Sequence, residues 1–222
     1  MAYVLGVIYT DGNLRPGILR DPNCSDTLRV GRFTVSQKEP ELLSKILNLM
    51  SCDAKLLFRK RRAFKTGVSG ETYYFHINND EIYDDLLRIG LSPNKSLTMI
   101  FPEVPSIFTR HFIRGCWDGD GSVYIEKRSN SVKASFVSGS LEFIEGMLFQ
   151  LYNEGFNKRT IYKQGKSFYF RYSGNQCAKL YHYFYDGVPE GQYLRRKYLI
   201  FKETMKKYNN TVLSDGHGRA AF

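Results

Sequence analysis

Two stretches decide how this chain folds: Tyr3-Val-Leu-Gly-Val-Ile-Tyr-Thr-Asp-Gly-Asn13 and Phe112-Ile-Arg-Gly-Cys-Trp-Asp-Gly-Asp-Gly-Ser122. Laid over one another, Gly6 meets Gly115 and Asp11-Gly12 meets Asp120-Gly121, each partner 109 residues further on. Apolar residues fill most of the space between, and internal duplication explains the match better than chance does. Val4, Leu5, Val7 and Ile8 around Gly6 describe a short buried helix, with Gly12 and Gly121 as left-handed terminators of the two copies. An interior glycine costs a helix up to about 1 kcal/mol relative to alanine, so two at matching places require compensation. Close approach of the two helices supplies it. Gly6 and Gly115, with Thr10 and Gly119 a turn later, lack the bulk that would hold the axes apart.

The duplication continues outward. Strand-like Leu28 to Ser36 and Val132 to Ser138 follow the motifs, and the helical patterns Leu42-Leu43-Ile46-Leu47 and Phe143-Ile144-Met147-Leu148 come next. Thr72 to Ile77 then matches Ser167 to Tyr172, and Asn94-Lys95 matches Arg196-Lys197. Each half reads helix, hairpin, helix, hairpin, helix, which predicts an α+β fold of two αββαββα halves with antiparallel sheets and a pseudo-two-fold axis. The expected divisions are 1–98, a Pro-containing connector at 99–109 around Phe101 to Pro105, a second half at 110–208, and a tail at 209–222 to which no function is assigned.

Composition limits what such a fold could do. Of 222 residues, 42% are hydrophobic and 24% charged, enough for a real core and too apolar for a disordered tail protein. No apolar run reaches the roughly 18 residues of a membrane span, and no signal peptide precedes the first motif; a soluble, non-secreted protein is expected, cytoplasmic, nucleoid-associated or in an organelle matrix. Cys24, Cys52, Cys116 and Cys177 have neither disulfide-framework nor zinc spacing, so reduced thiols are expected. The formal charge of +10 favours a nucleic-acid partner, and cations interleaved with aromatics, as in Tyr169-Phe170-Arg171-Tyr172, suggest a folded basic surface.

Asp11 and Asp120 each close a motif helix, where a carboxylate faces the negative end of the helix dipole. Side by side they also repel, so something cationic belongs there, and oxygen-only ligands favour magnesium over zinc. Taken singly, an Asp-Gly pair could equally cap a turn. Val4-Leu-Gly-Val-Ile-Tyr-Thr-Asp-Gly12 and Ile113-Arg-Gly-Cys-Trp-Asp-Gly-Asp-Gly121 resemble the two motifs of a single-chain LAGLIDADG homing endonuclease. The resemblance covers roughly residues 1 to 208. It implies that the motif helices pack at the centre of a DNA-binding saddle, that Asp11 and Asp120 bind catalytic metals, and that the carbonyls of Thr10 and Gly119 help coordinate them. It further implies that Lys95 and Lys197 are the basic residues beside the metals and that Gln37, in Phe33-Thr-Val-Ser-Gln-Lys38, sits at the edge of the active site. Other roles compete: a solvated surface lysine, and a glutamine that merely starts a helix. Gly139 stands where Gln37 has its counterpart, so unequal sites are expected, and motif one has Tyr9 where motif two has Asp118.

Alternation along the strands nominates the residues that meet a duplex. If Phe33 and Val35 face the core, Arg32 and Thr34 face outward; if Tyr73, Phe75 and Ile77 go in, Tyr74 and His76 go out. Their partners in the second half are Tyr169 and Arg171. Burying Val123 and Ile125 exposes Tyr124, Glu126 and Arg128, and Arg15 is the analogous residue of half one. The parity of Arg59 to Arg62 stays undecided.

Two carboxylates sharing divalent ions suit phosphodiester hydrolysis, and a central two-fold permits one cut per strand. The expected function is a site-specific double-strand DNA endonuclease acting as a monomer, without an obligate protein partner, on a target of about 20 base pairs, from strands of roughly 30 Å at 3.3 Å per residue. Mg²⁺ is the expected cofactor, with Mn²⁺ substituting and Ca²⁺ binding without supporting cleavage. Service to intron mobility by a free-standing enzyme is the biological expectation. Alternatives are an RNA maturase or a non-cleaving DNA-binding regulator of the same fold, and a generic basic structural protein, which leaves the duplicated Asp-Gly unexplained.

Overall fold

The computed structural model describes residues 1–20, 27–62, 69–128 and 131–214. Cys24 and the last part of the tail, 215–222, lie outside them, as do the side chains of Arg61 and Arg62. The first half runs α1 (Ala2–Asp11), β1 (Gly12–Arg20), β2 (Thr27–Gln37), α2 (Pro40–Leu49), β3 (Leu57–Arg62), β4 (Ser69–Asn78) and α3 (Asp80–Arg88), then a single 3-10 turn at Lys95–Leu97. The second runs α4 (Ser106–Asp120), β5 (Gly121–Glu126), β6 (Ser131–Ser138), α5 (Leu141–Asn153), β7 (Tyr162–Gln164), β8 (Ser167–Ser173), α6 (Asn175–Tyr185) and α7 (Arg195–Ser214). Both halves form four-stranded antiparallel sheets with the same connectivity, β1-β2-β4-β3 and β5-β6-β8-β7.

α1 and α4 meet through their glycines. A Cβ on Gly6 would collide with the Phe112 carbonyl oxygen and come 2.8 Å from the Cys116 nitrogen; one on Gly115 would collide with the Tyr3 carbonyl oxygen and come 3.0 Å from the Val7 nitrogen. Tyr3 and Phe112, like Val7 and Cys116, are 109 residues apart, so the contact maps onto itself when the halves are exchanged, which is the signature of a two-fold relation. Around this seam the core is continuous, from Phe33, Val35 and Phe75 under the first sheet to Phe136, Phe143 and Phe170 under the second.

Three expectations are corrected. Gly12 and Gly121 are extended (φ −82° and −81°), not left-handed. They are glycines for want of room: a Cβ at Gly12 would collide with the Ile8 carbonyl and one at Gly121 with the Trp117 ring. α4 begins at Ser106, inside the stretch read as connector, because Pro105 at its N-cap starts the helix earlier than the duplicated motif does. The halves also end differently. α7 has no helical equivalent after α3, and it continues through Ser214, past residue 208. The second sheet also has shorter strands: β2 has 11 residues against 8 in β6, and β4 has 10 against 7 in β8.

Candidate active site

The last turn of α4 lies against the end of α1. A Cβ on Gly119 would meet Thr10 Oγ1 and stand 2.7 Å from Asp11 Oδ2, so the residue preceding Asp120 touches Asp11 itself. Burial pushes the Asp11 carboxyl up to about 6; a hydrogen bond from Gln37 lowers it, and the charge of Asp120 adds to the rise. Neighbouring protein also raises Asp120 by desolvation, although its side chain stays exposed, with Lys197 and Lys95 opposing. Residues 109 apart in sequence thus share one electrostatic site.

A lysine sits at each helix end. Lys95, 4% exposed, donates to the carbonyls of Tyr9 and, at 3.3 Å, Thr10. Lys197 donates to the carbonyls of Trp117 (2.9 Å), Gly119 (3.0 Å) and Gly121 (2.7 Å). An ammonium answers the negative end of the dipole and satisfies carbonyls that a helix end leaves without intrahelical partners. Burial lowers the pKa of both lysines, opposed for Lys95 by Asp120 and Asp11 and for Lys197 by Asp118 and Asp11. Neither is a solvated surface lysine. Their settings differ: Lys95 opens the 3-10 turn, and Lys197 lies in the first turn of α7. The carbonyls of Thr10 and Gly119, expected to face metal, also accept from these lysines.

Gln37 ends β2 and donates from Nε2 to Asp11 Oδ2 at 2.7 Å. On the other side a Cβ at Gly139 would collide with the Ser96 carbonyl of the 3-10 turn, so backbone fills the space that a side chain uses beside Asp11. The donor set for a cation is thus two carboxylates and the backbone oxygens of Thr10 and Gly119; among the described residues no cluster of three or more His, Cys, Asp or Glu side chains exists. An all-oxygen set with repelling carboxylates fits a hard divalent ion and does not fit zinc.

The sheet faces turned from the core carry most of the other nominated residues. Phe33 and Val35 are buried, leaving Arg32 and Thr34 outward, with Arg15 opposite Arg32 and His76 opposite Thr34. Tyr74 lies opposite Ser36 on the same face. In the second half Arg171 is opposite Ser135, Tyr169 opposite exposed Val137, and Tyr124 opposite Lys133. Val123 is half-buried rather than buried, as is Ile125. Glu126 is half-buried and pairs with Lys133 at 3.7 Å. Arg128 lies beyond the end of β5, in the following turn, so strand parity does not place it. Two residues join this face that alternation did not nominate. Arg59, opposite Thr72, has its guanidinium 5.1 Å from the Tyr74 ring centre, whereas its neighbour Lys60 pairs with Glu71. Lys133 is the other, and its signal is the alternation of β6 itself, in which Val132 and Ala134 on either side are buried.

The class is defined by this architecture: two pseudo-repeated α+β halves, their motif helices crossed at the centre, a carboxylate at the end of each. Residues 108–200 match the family model of a LAGLIDADG-like domain. The structure superposes on meganuclease I-SmaMI bound to uncleaveable DNA (TM-score 0.61, 10% identity, 96% of this chain and 90% of that one). It also superposes on LAGLIDADG meganuclease I-AabMI bound to uncleaved DNA (0.59, 13%, 96% and 91%). Mesophilic variants of the homing endonuclease I-DmoI match at 0.54 and 16% identity over 84% of this chain and 95% of that one. No curated protein matches the chain in sequence. Residues 108–200 are therefore similar to a LAGLIDADG-like domain, and the chain taken whole shares the fold of these homing endonuclease and meganuclease structures.

Proposed function

We propose that this chain is a site-specific double-strand DNA endonuclease that hydrolyses one phosphodiester on each strand with the help of divalent cations. The supporting observation is the convergence of Asp11 and Asp120 at the touching ends of α1 and α4, each helix end held by a lysine, Lys95 buried and Lys197 half-buried. The two carboxylates and the carbonyls of Thr10 and Gly119 would hold the cations, which supply water activation and neutralisation of phosphate charge. Gln37 fixes the Asp11 carboxylate by hydrogen bond and presents a polar edge for solvent. Lys95 and Lys197 keep positive charge at the place where negative charge develops. Outward Arg15, Arg32, Arg59, Lys133 and Arg171 provide cations for phosphate and base edges, and Thr34, Tyr74, His76, Tyr124 and Tyr169 provide polar and stacking groups between them. Divalent metal use is supported by the related fold: I-DmoI structures in complex with DNA include one with Mn and one with Ca.

The experiment is selection of cut sites from a randomised duplex library with Mg²⁺, repeated with Mn²⁺, with Ca²⁺, and with Asp11→Asn and Asp120→Asn. Cuts on both strands at one long site with Mg²⁺ or Mn²⁺, absent with Ca²⁺ and in both variants while binding persists, are expected. Binding without cutting at every recovered site would replace this reading with a regulator or maturase.

A further inference from the structure

Asp118 is the acidic residue by which motif two departs from motif one, and it is not at the cation site. It is 1% exposed, and its Oδ2 accepts from the Tyr3 hydroxyl at 2.8 Å and from the Leu194 backbone N–H at 2.7 Å. Leu194 immediately precedes α7, and its carbonyl accepts from the Tyr198 N–H at 3.0 Å, so it belongs to the frame of the first helical turn. Three residues after Leu194 comes Lys197, whose ammonium holds the carbonyls of Trp117, Gly119 and Gly121, on either side of Asp118 in the chain. The end of α4 and the start of α7 are thus tied twice in opposite senses: a carboxylate of α4 holds the backbone of α7, and an ammonium of α7 holds the backbone of α4. A helix advances about 1.5 Å and turns about 100° per residue, so anchoring the residue before its first turn sets both how far Lys197 reaches and which way it points.

The other half is built differently. Tyr9 occupies the equivalent place and donates to the Ile89 carbonyl. Between Ile89 and Lys95 lie Gly90 and Asn94, both at positive φ (93° and 60°), and Lys95 opens a turn of three residues rather than a helix. No carboxylate anchors that turn among the hydrogen bonds of the described residues. Arg114, one turn before Asp118 and fully buried, donates to the Phe184 and Gln192 carbonyls and so braces the segment that leads into α7. A buried carboxylate is costly to keep unless its hydrogen bonds serve a purpose, and here they join the two halves (through Tyr3) to the helix that carries Lys197.

We propose that Asp118 is a positioning residue for Lys197, and that it acts on one of the two strand-cutting centres only. This rests on the endonuclease reading above. The test follows each strand of an end-labelled target separately with Mg²⁺. Asp118→Ala is expected to slow cleavage of one strand by about 10- to 100-fold, the range for misplacing a group at a reacting centre, while the other strand is cut near the wild-type rate and nicked duplex accumulates. Asp118→Asn keeps an oxygen acceptor for Leu194 and is expected to restore most of the loss. Leu194→Pro removes the donor from the other side, giving a second route to the same one-strand defect should Asp118→Ala fail to fold. Combining Asp118→Ala with Lys197→Met should add little to the lysine change alone, whereas combining it with Lys95→Met should leave each strand with only the defect of its own single variant. A readout without metal or DNA is the nitrogen-15 spectrum of the lysine ammonium groups: the Lys197 signal is expected to lose protection from exchange in Asp118→Ala and the Lys95 signal to keep it. Equal loss on both strands, no loss on either, or an unchanged Lys197 signal would overturn the proposal. A wild-type chain that cuts neither strand of any selected site would instead remove the endonuclease reading on which it stands.

Discussion

Asp11 shows at the scale of one residue what a carboxylate placed at the junction of two helices costs in stability. Its folded-state pKa, about 6, is above the value of 3.8 for a free side chain, so the folded protein binds the proton more tightly than the unfolded chain does. Ionised Asp11 therefore destabilises the fold above about pH 6, and the penalty disappears as pH falls below the unfolded value. A gap of one pH unit between folded and unfolded pKa values corresponds to about 1.4 kcal/mol, so Asp11→Asn is expected to raise metal-free stability by about 2–3 kcal/mol at pH 8 and to lose that gain toward pH 4. Urea titrations at the two pH values measure this, and an equal effect at both would contradict it. The same proton competes with cations, so Mn²⁺ affinity should fall below about pH 6, as titration calorimetry would read. That Asp11 closes its motif helix beside Asp120 was legible because it recurs as Asp120. The extent of its burial was not, since that depends on Gly119 pressing against it from the other end of the chain.

Among the elements, the crossed pair α1 and α4 depends most on single residues. Because a Cβ on Gly6 or Gly115 meets backbone of the opposite helix, no rotamer change relieves the clash and the axes must separate. Gly6→Ala is expected to destabilise by about 2–3 kcal/mol, typical of overpacking, and to lower cutting on both strands by moving Asp11 away from Asp120. Chemical denaturation together with strand-resolved cleavage checks this; an alanine variant of wild-type stability would show that the helices are less tightly apposed than described. Glycine at matching places predicted the crossing directly, since compensation for a poor helix former can come only from close packing. The reason for Gly12 and Gly121 was not legible, because a helix-ending glycine usually signals left-handed backbone, whereas here the residue is extended and the constraint is the Ile8 carbonyl or the Trp117 ring.

For the whole molecule, the two sheet faces carry cations that repel one another. Arg15 lies directly opposite Arg32, an arrangement that disfavours the bare sheet and is relieved by an anion. Arg15→Gln and Arg171→Gln, one in each half, are each expected to reduce the slope of log K against log salt by about 1 for DNA binding, as loss of one phosphate contact does. Fluorescence anisotropy at several salt concentrations measures it, and an unchanged slope would remove that arginine from the interface. Much of this face was readable from alternation in β2 and β4, where buried Phe33, Val35 and Phe75 set the parity. Arg59 was not, because its strand has cations at four consecutive positions and only pairing with β4 decides which of them share a face with Tyr74.

The sequence alone determined that there are two halves, which helices meet, and which carboxylates end them, because duplication and glycine placement are one-dimensional signals of a packing requirement. The tertiary structure alone decided that the halves finish unequally, with Lys95 on a short turn and Lys197 on a long helix anchored through Asp118. Those assignments depend on contacts between residues far apart in the chain, and no local periodicity records which backbone N–H a buried carboxylate will find.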